Sequence, residues 1–286
     1  MNTDNIKIMV RGAYDVQKLR VGMGNRICSN FRAKLGLGPS ESEEEDDDAK
    51  DILDDLRARY KKLTDGVKTF PKQATFVGDG VISTYTELSL VSQYIDLEKI
   101  EATHFHRLEA TLKEYPIYNT FLVAVRGCGP AMSGVILSEI DITKARYPSS
   151  LWAYAGLDVA GDGKGRSRKQ EHLVEKAYTD KDGNPAKRVG ITFNPFLKTK
   201  LYVLATCMIK LNSQPYRTIY DDYKHRLESN PKWADESKGH RNNAAMRYML
   251  KRFLVDLYKA WRSLEGLPVA PEYSVGKLGI VHSREP

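Results

Sequence analysis

The stretch that most constrains this chain runs from Phe121 to Ile140, FLVAVRGCGPAMSGVILSEI. Phe121, Leu122 and Val125 recur at helical spacing before Arg126-Gly127-Cys128-Gly129-Pro130, and Val135, Ile136, Leu137 and Ile140 recur at it afterwards. Two glycines one residue apart permit a hard backbone turn and a close approach to another backbone. Pro130 suits the first turn of a helix, where its missing N–H costs nothing. The spacing predicts helix, tight turn, helix over 121–140. In such a helix-hairpin-helix the amides opening the second helix face outward. The helix dipole there favours an anion, so the device holds a nucleic-acid phosphate without reading bases. An ordinary helical corner with a glycine turn satisfies the same residues.

Charge distribution narrows the partners. The net charge is +7, but residues 41–55 hold ten acids and one lysine, so that piece is −9 and the remainder +16. A basic body with a detached acidic loop suits a polyanion binder, and equally a generally basic protein with a solvated loop. No stretch approaches the length of an apolar membrane span, and the amino terminus lacks a signal-peptide core, so a membrane is not an expected partner. Cys28, Cys128 and Cys207 are far apart and form no C-x-x-C pair, which argues against zinc and against a disulfide framework. A reducing cytoplasm is the expected compartment.

In chain order, residues 6–35 read as a helix with Met9, Val16, Leu19, Met23, Ile27 and Phe31 as its apolar stripe. Residues 40–48 read as an acidic loop, and a second helix carries Ile52, Leu53, Leu56, Tyr60 and Leu63 in phase. Residues 68–83, with Pro71, Gly78 and Gly80, read as a loop. Residues 84–116 form a helical arm with Leu88, Val91, Ile95, Leu108 and Leu112 on one side; its length suits a coiled-coil surface and a homo-oligomer. His104 and His106, two apart on that helix, point in different directions and make a poor metal pair.

Beyond the glycine corner, YPSSLWAYAGLD places Ser149 or Ser150 as a cap and Trp152 and Tyr154 as core anchors. Gly161–Lys169, GDGKGRSRK, is glycine-rich and basic but lacks the Gly-Lys-Ser/Thr ending of a Walker loop. Its Lys164, Arg166, Arg168 and Lys169 suit phosphate contact, or a solvated turn. The Asp-Gly signal in YTDKDGNP predicts a hairpin within 174–192; its likeness to a calcium loop fails for want of the later bidentate Glu. Asn194-Pro195 opens a core helix with Lys198 near its start, Pro215 begins the next element, and 243–264 is the last long helix. On that last helix Arg247, Lys251, Arg252, Lys259 and Arg262 flank the buried stripe on exposed faces, and the tail from 266 is expected to be extended. The fold class is therefore mainly α, with a small β-hairpin insertion.

The order VRGCGPAMSGVILSEI, YPSSLWAYAGLDV, basic glycine loop, NPFLKTKLYVLA, PYRTIYDDY, HRNNAAMRYMLKRFL resembles the carboxy-terminal domain of insertion-sequence transposases related to Piv DNA invertases, a family that includes bridge-RNA-guided recombinases. The resemblance covers roughly residues 84–265. It implies a transposase-like domain over 117–265 and a role in DNA transposition or recombination. It also implies DNA as partner, with a guide or structured RNA as a further one. In that family a serine nucleophile follows the AYAGL segment, and a RuvC-like amino-terminal domain supplies four acids for a divalent metal. This chain departs at both places. Its first 83 residues read as helices rather than an alternating sheet, and Asp15 in AYDVQK resembles the first acidic motif but sits in a helical stripe. Gly161 and Asp162 stand where the family tends to have Ser and Gly, leaving Ser167 as the catalytic candidate, with no base visible near it in the sequence. No cofactor is expected in this chain, magnesium entering only if another chain supplies the acids.

The expectation is thus a DNA-binding protein that grips the phosphate backbone through Arg126, Gly127, Cys128 and Gly129 of the corner, Lys164, Arg166, Arg168 and Lys169 of the loop, and Lys198, Arg247 and Lys251 on helix faces. The alternatives are an active recombinase using Ser167 and a non-catalytic interaction scaffold.

Overall fold

The computed structural model describes residues 3–38, 45–67 and 69–271. It is mainly α with one small antiparallel hairpin, and by packing it divides into two units, Ile8–Arg107 and Met1–Lys7 with Leu108–Pro286.

The first unit is built from most of α1 (Thr3–Phe31), all of α2 (Glu45–Thr64) and most of α3 (Tyr85–Leu112). Ile27 and Phe31 of α1, Ile52 and Leu56 of α2, and Leu88, Val91 and Tyr94 of α3 close one core, with Val81 and Ile82 of the preceding loop inserted. The α1 stripe differs from the sequence expectation: Leu19 is 62% exposed, and Ile6, Val10 and Ala13 are the buried positions of the first half. The true spacing of four and three is as regular as the expected one, so periodicity alone does not choose between them. Of the expected acidic loop 40–48, residues 40–44 lie outside the described residues, while 45–48 form the first turn of α2. Residues 69–83 hold a 3-10 turn at Gln73–Thr75 and no strand.

α3 is closed at its start by a reciprocal cap. Glu87 accepts from the Ser83 and Thr84 amides at 2.9 and 3.0 Å, and Thr84 Oγ1 accepts from the Glu87 amide at 3.2 Å. Hydrogen bonds from Lys34, Ser83 and Thr84 overcome the partial burial and hold the Glu87 carboxyl down at a pKa of about 2. Leu88, Val91 and Tyr94, part of this half of 84–116, are spent on the unit's own core.

In the second unit four helices open on proline: α4 (Pro116–Thr120), α5 (Pro130–Glu139), α6 (Pro148–Tyr154) and α7 (Pro195–Lys210). Pro116, expected to close the arm, instead begins α4. The expected helix at 121–125 is also corrected: Leu122–Ala124 is one 3-10 turn, and the true helix ahead of the corner is the short α4. Three apolar residues over five positions fit either conformation.

α5 is the unit's central element. Every side chain from Met132 to Glu139 is buried, with Val135 and Ile136 at 0% exposure. α5 packs on α7, and α7 on α8 (Tyr216–Glu228) and α9 (Lys238–Leu264), while α6 and α4 cover other parts of α9. Phe253 of α9 is the aromatic centre, stacked with Phe121 at 6.1 Å and met edge-on by Tyr216 at 5.6 Å between ring centroids. β1 (Val174–Thr179) pairs with β2 (Pro185–Gly190) around the expected Asp-Gly turn, Tyr178 facing Ala186. All of β1 and most of β2 is exposed, so the hairpin stands off the core.

Two further expectations change. Tyr154 is 42% exposed rather than a core anchor. Arg262 is buried rather than on an exposed face, donating to the carbonyls of Pro268, Ile142 and Ala145 at 2.6, 3.0 and 2.9 Å. It joins the end of α9 to the α5–α6 loop and to the start of the tail. Residues 272–286 of the expected extended tail lie outside the described residues.

Candidate nucleic-acid interface

The segment from Leu157 to His172 folds by short-range hydrogen bonds. After α6, Gly156 takes a left-handed φ of 64° and turns the chain out. Val159 bridges Gly165, the Ala160 amide donates to the Lys164 carbonyl at 2.8 Å, and the Arg166 amide donates to the Asp158 carbonyl at 3.1 Å. Across the base of this small hairpin Arg166 grips Asp158 with two guanidinium bonds, both to Oδ2, at 3.0 and 2.7 Å, while Asp158 Oδ1 is buried without a hydrogen-bond partner. Charge-assisted bonds of this kind are stronger than neutral ones.

Three more cations arrive from helices. Lys198, in the first turn of α7, donates to the Arg166 carbonyl and sits 4.8 Å from the centre of the Phe193 ring. Arg247 of α9 lies against Gly165, where an added Cβ would fall 2.1 Å from its Nη1. Lys251, one turn further along α9, lies 5.2 Å from the centre of the Trp152 ring, and the Trp152 indole donates to the Lys251 carbonyl at 3.2 Å. Trp152 is thus a platform for a cation more than a core anchor.

Arg166, Lys198, Arg247 and Lys251 therefore surround one carboxylate, Asp158, which Arg166 already occupies. Among the described residues Arg247 has neither a hydrogen bond nor an ion pair. Burial, and then the Arg247 charge, push both Lys198 and Lys251 below the usual lysine value, with Asp158 opposing. The order of causes matters: these ammonium groups are short of water and crowded by a like charge, and one shared carboxylate does not compensate.

The loop's far end is closed by a second network. His172 is buried, and its Nδ1 accepts from the Ser167 amide at 2.9 Å with Ser167 Oγ at 2.7 Å. Its Nε2 lies 3.1 Å from Asp162 Oδ2. Since Nδ1 accepts an amide proton, the ring's own proton sits on Nε2 and is donated to Asp162. The Lys164 amide and then His172 hold the Asp162 carboxyl below its ordinary range. Asp162, His172 and Glu171 also bring ligand atoms within 4.8 Å of one another. A protonated Nε2 has no lone pair to give a metal, however, and Ser167, His172 and Asp162 read as a clamp on the loop.

The sequence-predicted residues fall into three places. Arg166, Lys198, Arg247 and Lys251 converge. Lys164, Arg168 and Lys169 are exposed on the same loop, Lys169 lying 3.9 Å from Glu171. Arg126, Gly127, Cys128 and Gly129 lie elsewhere. Gly127, at φ 94°, presses on the Cys207–Met208 backbone, where an added Cβ would meet backbone atoms at 3.2 Å. Nine residues of helical rise separate that point from Lys198, about 13 Å along α7. Cys128 is buried with its Sγ 3.6 Å from Ser133 Oγ, while Arg126 and Gly129 are exposed.

Sequence reasoning missed Asp158, Asp162 and His172. Asp158 and Arg166 flank a glycine turn eight residues apart, a cross-strand pair that was legible. His172 gave no local signal, because its partners meet only when the loop closes. Among the described residues no helix is long and apolar enough to cross a membrane. No family model matches the chain, and no curated protein matches its sequence. The likeness to transposases rests on motif order.

Proposed function

We propose that the second unit binds nucleic acid by its phosphate backbone, with Arg166, Lys198, Arg247 and Lys251 as the centre of the interface. The observation that carries this is the charge imbalance: four half-buried cations share one carboxylate, and both lysines are held below their ordinary pKa. A fold gains nothing from crowding like charges in this way, whereas a phosphate placed among them relieves each one. Exposed Lys164, Arg168 and Lys169 extend the positive surface along the loop. DNA is the partner favoured, because the motif order resembles that of DNA transposases.

The test is the affinity for short DNA as a function of salt. Several phosphates neutralised together give a steep linear fall of log affinity with log salt, and oligonucleotides of unrelated sequence bind within a few-fold of one another. A flat salt response contradicts the reading. The pH response has a defined sign. Lysines with lowered pKa lose charge first, so affinity falls as pH rises toward the lowered values, before ordinary lysines near about 10.4 titrate. Over the same window the DNA-free fold gains stability, since the penalty for burying those charges is removed.

A second reading, an active recombinase, is favoured by Ser167. Its Oγ lies 2.7 Å from an unprotonated imidazole nitrogen whose opposite nitrogen is held by a carboxylate. Attack by Oγ on a phosphodiester would pass the hydroxyl proton to Nδ1 and expel a strand oxygen, whose charge a magnesium ion bound by another chain would stabilise. Ser167→Ala is then expected to abolish strand joining while leaving DNA affinity within about twofold. Joining that survives in this variant removes the second reading.

A further inference from the structure

α7 carries two stripes. Leu197, Leu201, Leu204, Ala205 and Met208 are buried in the core. On another side, Thr199, Tyr202, Val203 and Thr206 follow the same three-and-four spacing. With Lys198 and with Met246 of α9 they line an open groove of about 440 Å³. Val203 is 47% exposed there, and the Tyr202 phenol lies close enough to Arg247 for that cation to oppose the rise burial imposes on its pKa. Lys198 lines the groove and Arg247 lies near its Tyr202, and both belong to the cationic cluster. An aromatic ring, an aliphatic side chain, a thioether and two hydroxyls make up the rest.

We propose that this groove seats the base of an unpaired nucleotide whose phosphate is held by the cluster. The inference rests on the phosphate-binding reading and adds the substrate class. Charge beside an aromatic and apolar wall matches the phosphate and the base of one nucleotide. A paired base is stacked inside its duplex and cannot enter, so the preferred ligand is a single strand, and the contact is tolerant of base identity because every base has a π-face.

The test compares a single-stranded 15-mer of thymidines with a 15-mer of the same backbone lacking bases, so that the number of phosphates is equal. The full chain is expected to bind the base-bearing strand roughly tenfold or more tightly, the scale of one or more base–aromatic contacts. Tyr202→Phe keeps that preference and Tyr202→Ala removes it. Val203→Gln, at an exposed position the fold tolerates, reduces it as well. Equal affinity of the intact chain for the two strands overturns the groove and leaves the phosphate cluster standing. A preference that persists in both Tyr202→Ala and Val203→Gln also overturns it. Failure of either strand to bind, with no salt dependence, overturns both readings.

Discussion

Replacing Lys198, Arg247 and Lys251 together by glutamine is expected to lower DNA affinity on the order of a thousandfold at moderate salt. Three charge-assisted phosphate contacts are lost, each worth roughly 1.5 kcal/mol or a little more. The slope of log affinity against log salt is expected to shrink by about 2 to 3, because each neutralised phosphate contributes about 0.7 on single strands and about 0.9 on duplex. The fold is expected to survive, because the change removes three crowded like charges and only one of their hydrogen bonds, that of Lys198 to the Arg166 carbonyl. Arg166 is left intact, since its grip on Asp158 holds the loop. A triple variant that unfolds, or that binds with the original slope, is not compatible with the cluster as the interface.

The second large effect concerns the glycine corner. Gly127→Ala is expected to destabilise the second unit by about 3 kcal/mol, because two costs combine. At φ 94° any side chain is strained, and the added methyl would meet the backbone of Cys207 and Met208 at 3.2 Å. Backbone inside a core helix cannot yield as a flexible side chain can. Gly129→Ala, two residues on, is expected to change stability by no more than about 0.5 kcal/mol. Gly129 has an extended φ of −72°, and a Cβ there enters open space. Thermal melts of the two variants check this directly. The pair separates a packing joint from a phosphate cradle: loss of DNA binding in stable Gly129→Ala would return the corner to the interface.

These two glycines show where sequence reading reaches and where it stops. A double glycine followed by proline announces a turn and a helix start, and both are present. It does not say which of the two glycines faces another backbone. The prolines at 130 and 195 and the cap at Asn194, which accepts from the Leu197 amide at 3.0 Å, are local signals that mark helix starts; Pro116, expected to end the arm, and Pro148, which follows the true cap Tyr147 where Ser149 or Ser150 was expected, open helices too. The Asp-Gly hairpin is local too. Arg262 was misplaced because its carbonyl partners Ile142 and Ala145 lie more than a hundred residues away in the chain. The cationic cluster was legible as four basic residues but not as one place. Lys198 and Arg247 come together only through the packing of α7 on α9 around the Gly165 hairpin. The clamp was invisible for a similar reason, since Ser167, His172 and Asp162 carry no motif until the loop has closed.

The central claim is that the cluster is held under-neutralised for a phosphate, and Arg247 tests it most directly. The measurement is the thermal midpoint of the intact chain and of Arg247→Gln, each with and without a saturating single-stranded oligonucleotide. Arg247→Gln is expected to be at least as stable as the original chain without DNA, since it relieves Lys198 and Lys251, and DNA is expected to raise its midpoint distinctly less. A variant that is less stable alone, yet is stabilised by DNA as much as the original, would contradict the account.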